Sequence, residues 1–386
     1  MAKHHCLFLW GHGSELLLDE SLPTKANGSD RNYLTPKNLR QALKNAQLKL
    51  QGKNVDIIGI DACSMSQIEM ASELQDCGNF MIASQEDVPD ASFPYETLLF
   101  LLKVHNPEDV EGISAAIPSL YKQAYQDYVV APDTGMNEIT LTSVSLKNVS
   151  TVTDPLKKLA TALRSSALDA ELRKAVVKAR QATRHFALGL FVDLFDFCMQ
   201  LRRLIADCEL QSACKSVCDA IEARTEGSCV IENQTGDDPE KRSHGLSIYF
   251  PYLAEAEIDQ AQKSLVAGQT SLTQQLPLLV KGGTNHLLKA RSARIIEMET
   301  DIEALLKFKQ TGWIEFIRQG WSAILATEEP DKLDQHYSAQ QCAINLIALA
   351  QGSNRLLPEG GKPTVDAELA PVELLSRSVY AGSDFR

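Results

Sequence analysis

An alternating α/β fold with a mainly parallel sheet flanked by helices is predicted for the first part of this 386-residue chain, and a largely helical region follows it. Three observations predict this. Short apolar runs of strand character recur near residues 6, 55 and 80. Amphipathic helical patterns fill the intervals between them, and polar, turn-forming segments follow the strand ends.

Taken in order, Cys6 to Trp10 reads as a short strand ending at Gly11-His12-Gly13. The stretch from Leu22 to Tyr33 is rich in turn formers and reads as a loop. Thr35-Pro36 opens a helix, with proline suited to the first helical position, and Leu39, Leu43, Ala46 and Leu50 mark its apolar face. Val55-Asp-Ile-Ile-Gly-Ile60 is a buried strand running into Asp61-Ala62-Cys63. Ser66 and Glu69 have the spacing of a capping box for a helix from Gln67 to Leu74. Phe80-Met-Ile-Ala83 is a third strand, feeding Ser84-Gln-Glu-Asp-Val-Pro-Asp90. In such a sheet, functional residues gather beyond the carboxyl ends of the strands.

Further on, Ile139 to Leu146 alternates like a strand and residues 154–224 are mostly helical. Val230 to Asn233 and Leu246 to Phe250 read as two strands joined by a charged, glycine-containing loop. Residues 287–350 are again helical, and 352–386 read as a loosely held tail. The expected organisation is therefore a catalytic region over 1–150, a helical and strand lobe continuing it over 151–286, and a helical extension with its tail over 287–386.

Composition narrows the function. Lys and Arg total 38 against 50 Asp and Glu, a net charge of −12 that disfavours nucleic acid and anionic membranes as partners. Even the apolar run from Phe186 to Phe195 is interrupted by Asp193, far short of the roughly 18 residues of a membrane span. Nine cysteines, an odd number at irregular spacing, are not a disulfide framework. The apolar stretch at the start is too short for a signal peptide. A reducing, cytoplasmic setting is expected, or secretion where an upstream leader has been removed.

Two strand ends carry reactive side chains. His12 follows one and Cys63 another, and neighbouring parallel strands lie about 5 Å apart. A free thiol has a pKa near 8.5 and needs a base to supply thiolate at neutral pH. His12 would take the proton and return it to the leaving amine. The start of the following helix would also favour the thiolate. Gly13 leaves room for substrate backbone, and its N–H with that of Cys63 would form an oxyanion hole, each donor worth roughly 3 kcal/mol. Singly, a cysteine after an apolar strand is more often a core residue and Gly-His-Gly more often a turn. Together, 51 residues apart, they point to catalysis.

Trp10-Gly-His-Gly13, Asp61-Ala-Cys-Ser-Met65 with Glu69, Ala83-Ser-Gln-Glu86 and Phe93-Pro-Tyr95 resemble the clostripain family of caspase-like cysteine peptidases. The resemblance continues through Leu141 to Val149, Val192-Asp-Leu-Phe-Asp196 and Gly245-Leu-Ser-Ile-Tyr-Phe-Pro251, in the family's order. It implies a caspase-like sheet, a Cys–His dyad, cleavage after Arg or Lys in protein or peptide substrates, and self-processing of a precursor. His12 matches the family's base and Cys63 its nucleophile. Asp61, two residues before Cys63 and so on the same side of an extended strand, matches its acidic specificity residue. A pocket for a cation needs such a carboxylate, because an unpaired buried charge is very costly. Glu86, Asp87 and Asp90 are candidates for a second. Lys25-Ala26, 13 residues past the base, lies close to where the resemblance implies a processing bond, with Arg31-Asn32 a second basic site in the same loop.

Caspase-like folds have further strands and a helix before the strand carrying the base. Here that strand begins almost at Met1, so the N-terminal strands of the fold are expected to be missing: either the chain is a fragment, or another chain or a later segment is expected to cover their edge. No cofactor is expected, and a calcium requirement is left open. His4, His5 and Cys6 alternate between faces, and Cys198, Cys208, Cys214 and Cys218 lack a Cys-x-x-Cys pair, so no metal is expected either. Trp313, Ile317, Trp321 and Ile324 are read as core. The rival readings are a caspase-like protein-binding scaffold with weak or lost catalysis, and a redox sensor built on the cysteines at 198–229.

Overall fold

A computed structural model of the protein describes residues 2–14, 17–19, 33–89, 91–127, 139–166, 169–186, 190–222, 226–236, 242–251, 302, 304–321 and 324. The central sheet has five strands: β1 (Cys6–Trp10), β5 (Val55–Asp61), β6 (Gly78–Ala83), β7 (Thr140–Ser145) and β10 (Val230–Thr235), side by side in that order. β1, β5 and β6 run parallel. β7 runs against β6, and β10 against β7, so four of the five strands point one way.

Two small antiparallel sheets flank it. One joins β2 (His12–Ser14), β3 (Leu17–Asp19) and β4 (Tyr33–Leu34). The other joins β8 (His185–Phe186), β9 (Phe191–Asp193) and β11 (Ser247–Tyr249). The two strands expected around Val230 and Leu246 exist, but they sit in different sheets and do not pair as a hairpin.

Both faces of the central sheet are covered, which is why β5 reads as a continuous apolar run. Ile58, Ile60 and Met81 pack with Leu39 and Leu43 of α1 (Pro36–Lys49), Met70 of α2 (Ile68–Leu74) and Leu156 of α5 (Val149–Ser166). Ile57 and Ile82, one residue out of phase, face α3 (Tyr95–Val104) and α4 (Val110–Asp127) through Leu98, Ile113, Ile117 and Tyr121. The period of two thus divides the apolar strand residues between two cores. β7, expected to alternate, is buried at every position because it lies inside the sheet.

The Thr35-Pro36 start holds: the Thr35 hydroxyl accepts from the Asn38 N–H at 3.2 Å. The capping box does not form. α2 begins at Ile68, after a Gln67 whose side chain makes no capping bond and instead donates to the Ser64 carbonyl at 2.6 Å. The Ser66 hydroxyl donates to the Gly245 carbonyl at 2.6 Å, and the Glu69 carboxylate accepts from the Tyr249 N–H at 2.7 Å. Both polar groups serve the segment around β11, a tertiary demand that overrides the local pattern.

The helical lobe contains α6 (Ala170–Ala182), α7 (Leu194–Leu204) and α8 (Cys208–Ile221). Cys198, Cys214 and Cys218 are buried between α7 and α8 and unbridged. Beyond residue 300, short turns of mixed helical type carry Trp313, Ile317, Trp321 and Ile324 into the core shared with α5. The Trp313 and Trp321 indoles donate to the carbonyls of Tyr249 and Pro251 at 2.6 and 2.7 Å. The expected tail over 352–386 lies outside the described residues. Among the described residues, no helix is long and apolar enough to cross a membrane.

Candidate active site

The site forms where β1 and β5 end side by side. Trp10 stands opposite Asp61 in the parallel register, and the Gly11 N–H donates to the Asp61 carbonyl at 3.3 Å. The chains then leave together, one as His12-Gly13 and the other as Ala62-Cys63. Gly13 presses its α-carbon against the Cys63 backbone: a Cβ there would lie 2.1 Å from the Cys63 carbonyl oxygen and 2.8 Å from its nitrogen. Only glycine permits this approach. His12, the residue before it, is exposed at the rim.

The half-buried Cys63 thiol is held by the loop after β6. The Val88 N–H donates to Sγ at 3.3 Å, and the thiol reaches the Val88 carbonyl at 3.9 Å. Burial pushes the thiol well above its ordinary pKa, and the nearby Asp87 carboxylate, to which the thiol is hydrogen-bonded, adds to this. The N–H groups of Val88 and Gly13 work the other way without reversing it. The nucleophile candidate is therefore a protonated thiol in this arrangement. The helix field expected at Cys63 is remote, since α2 starts five residues later.

Asp61 is 1% exposed, on the sheet face covered by α3 and α4. Its Oδ2 accepts three hydrogen bonds: from the Ser92 hydroxyl, from the Phe93 N–H at 3.1 Å and from the Tyr95 hydroxyl at 2.8 Å. Its Oδ1 is buried and accepts none. Ser92 is itself pinned, with φ at +64° and its carbonyl accepting from the Tyr125 hydroxyl at 2.7 Å. Burial and the Asp61 carboxylate both push the Tyr95 phenol up. Tyr121, raised mainly by burial, also feels the charges of Asp61 and Cys63.

The other expected acids divide. Glu86 is ion-paired with Arg184, and its carbonyl accepts from the Ser64 N–H at 3.0 Å and the Ser84 hydroxyl at 2.8 Å, so it fastens the loop. Asp87 is exposed and directed to the thiol. Asp90, Lys25, Ala26, Arg31 and Asn32 lie outside the described residues.

Sequence reasoning missed the support beneath this loop. The Gln85 amide donates to Asp193 at 3.1 Å and accepts from the Gly245 N–H at 2.7 Å. Asp193 also pairs with the His244 ring at 3.0 Å, which stacks on Phe195. Burial alone would lower the His244 pKa, but the Asp193 carboxylate outweighs it and holds the ring above its ordinary value. No local pattern joins residues 85, 193 and 244. Ser92 and Tyr95 were nearer to view, since Tyr95 closes the Phe93-Pro-Tyr95 motif. Among the described residues, no cluster of His, Cys, Asp and Glu could hold a metal.

The fold is an α/β protein with a cysteine just past the end of a parallel strand, its backbone abutting the Gly-His-Gly turn of the neighbouring strand. The sequence model of the Clostripain family matches residues 1–274, and the chain belongs to that family; it is a cysteine peptidase by class. A search of curated protein sequences gave no significant match. Among solved structures, the chain is similar to a secreted C11 cysteine protease from Bacteroides thetaiotaomicron, in complex with an irreversible peptide inhibitor. That likeness is 16% identical, covers 69% of this chain and 71% of that one, and has a TM-score of 0.44. An inactive zymogen C11 protease from Parabacteroides distasonis is 19% identical over 68% of each chain, with a TM-score of 0.40. A cysteine protease from B. fragilis is 17% identical over 67% of this chain and 99% of that one, with a TM-score of 0.38.

Proposed function

We propose that the protein is an endopeptidase that cleaves after Arg or Lys through a dyad of Cys63 and His12. The observation that carries this reading is the abutment of Gly13 on Cys63, with the buried, unpartnered Oδ1 of Asp61 two residues before the thiol. The His12 imidazole takes the Sγ proton, and the sulfur attacks the scissile carbonyl carbon. The N–H groups of Gly13 and Cys63 receive the oxyanion. The C–N bond then breaks as His12 returns the proton to the leaving amine. Water, deprotonated by His12, attacks the thioester and frees the acyl product, and the thiol regains its proton.

In this arrangement the thiol is protonated and covered by Asp87 and Val88, so catalysis requires the loop to shift from it. Self-cleavage at Lys25–Ala26, in the segment between β3 and β4, is the proposed trigger. The same covered thiol favours the second reading, a protein-binding scaffold with weak catalysis. Fluorogenic peptides with Arg or Lys before the cleaved bond separate the two: wild type should cleave them and Cys63→Ala should not. Undiminished cleavage by Cys63→Ala, or none by wild type, refutes the peptidase. Intact mass of wild type and Cys63→Ala tests processing, with fragments ending at Lys25 expected only in wild type.

A further inference from the structure

We infer that the Asp61 pocket ranks Lys above Arg in the residue before the cleaved bond. The inference rests on the proposed role of Asp61 as the acid that receives that side chain.

A carboxylate offers about four lone-pair directions, two on each oxygen, and Arg is favoured where both oxygens face the guanidinium fork. At Asp61 one oxygen is already taken. Oδ2 holds three donors, from Ser92, Phe93 and Tyr95, more than its two lone pairs direct, and cannot admit a fourth. Oδ1 alone is unpartnered. A fork laid across both oxygens is therefore excluded, and a bound cation has at most the two lone pairs of Oδ1. An ammonium carries three N–H donors and leaves one for water or a carbonyl. A guanidinium carries five and leaves three. Each N–H buried without a partner weakens binding.

The other described candidate acids do not redress this: Glu86 is engaged by Arg184 and Asp87 by the Cys63 thiol. Ser92 and Tyr95 are thus positioning residues: they turn Asp61 into a one-oxygen acceptor, and the brace from Tyr125 to the Ser92 carbonyl keeps them in place. A single strong contact suits a compact point charge.

Three otherwise identical fluorogenic peptides, carrying Lys, Arg or norleucine before the cleaved bond, test this through kcat/KM. Lys should exceed Arg by roughly a hundredfold, about tenfold for each of the two further N–H groups that Arg leaves unpaired, and norleucine should be poorest. The double variant Ser92→Ala with Tyr95→Phe leaves only the Phe93 N–H on Oδ2, reopening a lone pair there. Its Lys-to-Arg ratio should fall toward one, a change that loss of stability alone would not produce. Irreversible inhibitors bearing Lys or Arg, scored by rate of Cys63 labelling in wild type, give the same ranking without reliance on a variant. Arg equal to or better than Lys overturns this inference and leaves the peptidase standing. Norleucine equal to Lys removes Asp61 from the pocket, and no cleavage of any peptide overturns the proposed function itself.

Discussion

Gly13→Ala is the sharpest test of the active-site geometry, because the atoms it would strike are backbone. The added methyl would lie 2.1 Å from the Cys63 carbonyl oxygen, about 0.9 Å inside the 3.0 Å that Cβ atoms keep from such neighbours. No side-chain rotation relieves this, so the ends of β1 and β5 must part by roughly 1 Å. A displacement of that size at a reacting centre costs on the order of a hundredfold in rate. The parting also carries the Gly13 N–H away from Sγ, weakening one of the two donors that favour the thiolate. The assay is kcat/KM on the better basic peptide, beside a thermal melt. Much of the fold should survive, because the clash lies at the strand ends, outside the paired register from Cys6 to Trp10. Activity within threefold of wild type in a folded Gly13→Ala protein would show that the two backbones do not abut in the working enzyme.

Other perturbations probe the surroundings. Burial is the larger cause of the raised Cys63 pKa and Asp87 the next, so Asp87→Asn should speed iodoacetamide labelling at neutral pH, by about tenfold for each unit the thiol falls; unchanged labelling would place Asp87 away from the sulfur. Glu69 is held up to about 8 by burial, against the pull of the Tyr249 N–H. The native state keeps a proton that the unfolded chain loses above pH ~4.5, so stability falls as pH rises toward 8, by roughly 1.4 kcal/mol per unit. Glu69→Gln should abolish that slope and gain on wild type as pH rises, as read by urea unfolding at pH 5, 7 and 8; parallel curves would contradict it. His244 has the same sign: its ion pair with Asp193 stabilises fully below about pH 6.5 and fades as pH rises through its raised native value. His244→Gln should therefore be more harmful at pH 6 than at pH 9, again by urea unfolding.

Legibility followed range along the chain. The strands at 6, 55 and 80 were readable because their apolar runs are short and bounded by turn formers, and the first helix because Thr35-Pro36 is a local start signal. Ser66 and Glu69 misled for the opposite reason: their spacing fits a cap, but Gly245 and Tyr249, some 180 residues away, take up their hydrogen bonds. The same distance effect separates the strands at 230 and 247 into different sheets, although their neighbouring positions suggest a pair.

The sequence by itself determined the alternation of strands and helices and the family likeness, and it put forward candidates for base, nucleophile and specificity acid, because these readings depend on residue type and local spacing. The tertiary structure decided what state those groups are in. Asp61 loses one oxygen to a loop 30 residues on, Glu86 is drawn off by Arg184, and the Cys63 thiol is kept protonated by burial beside Asp87. The physical reason is that desolvation and hydrogen-bond saturation are set by whatever packs against a group. That comes from remote segments brought together by folding, and no local pattern records it.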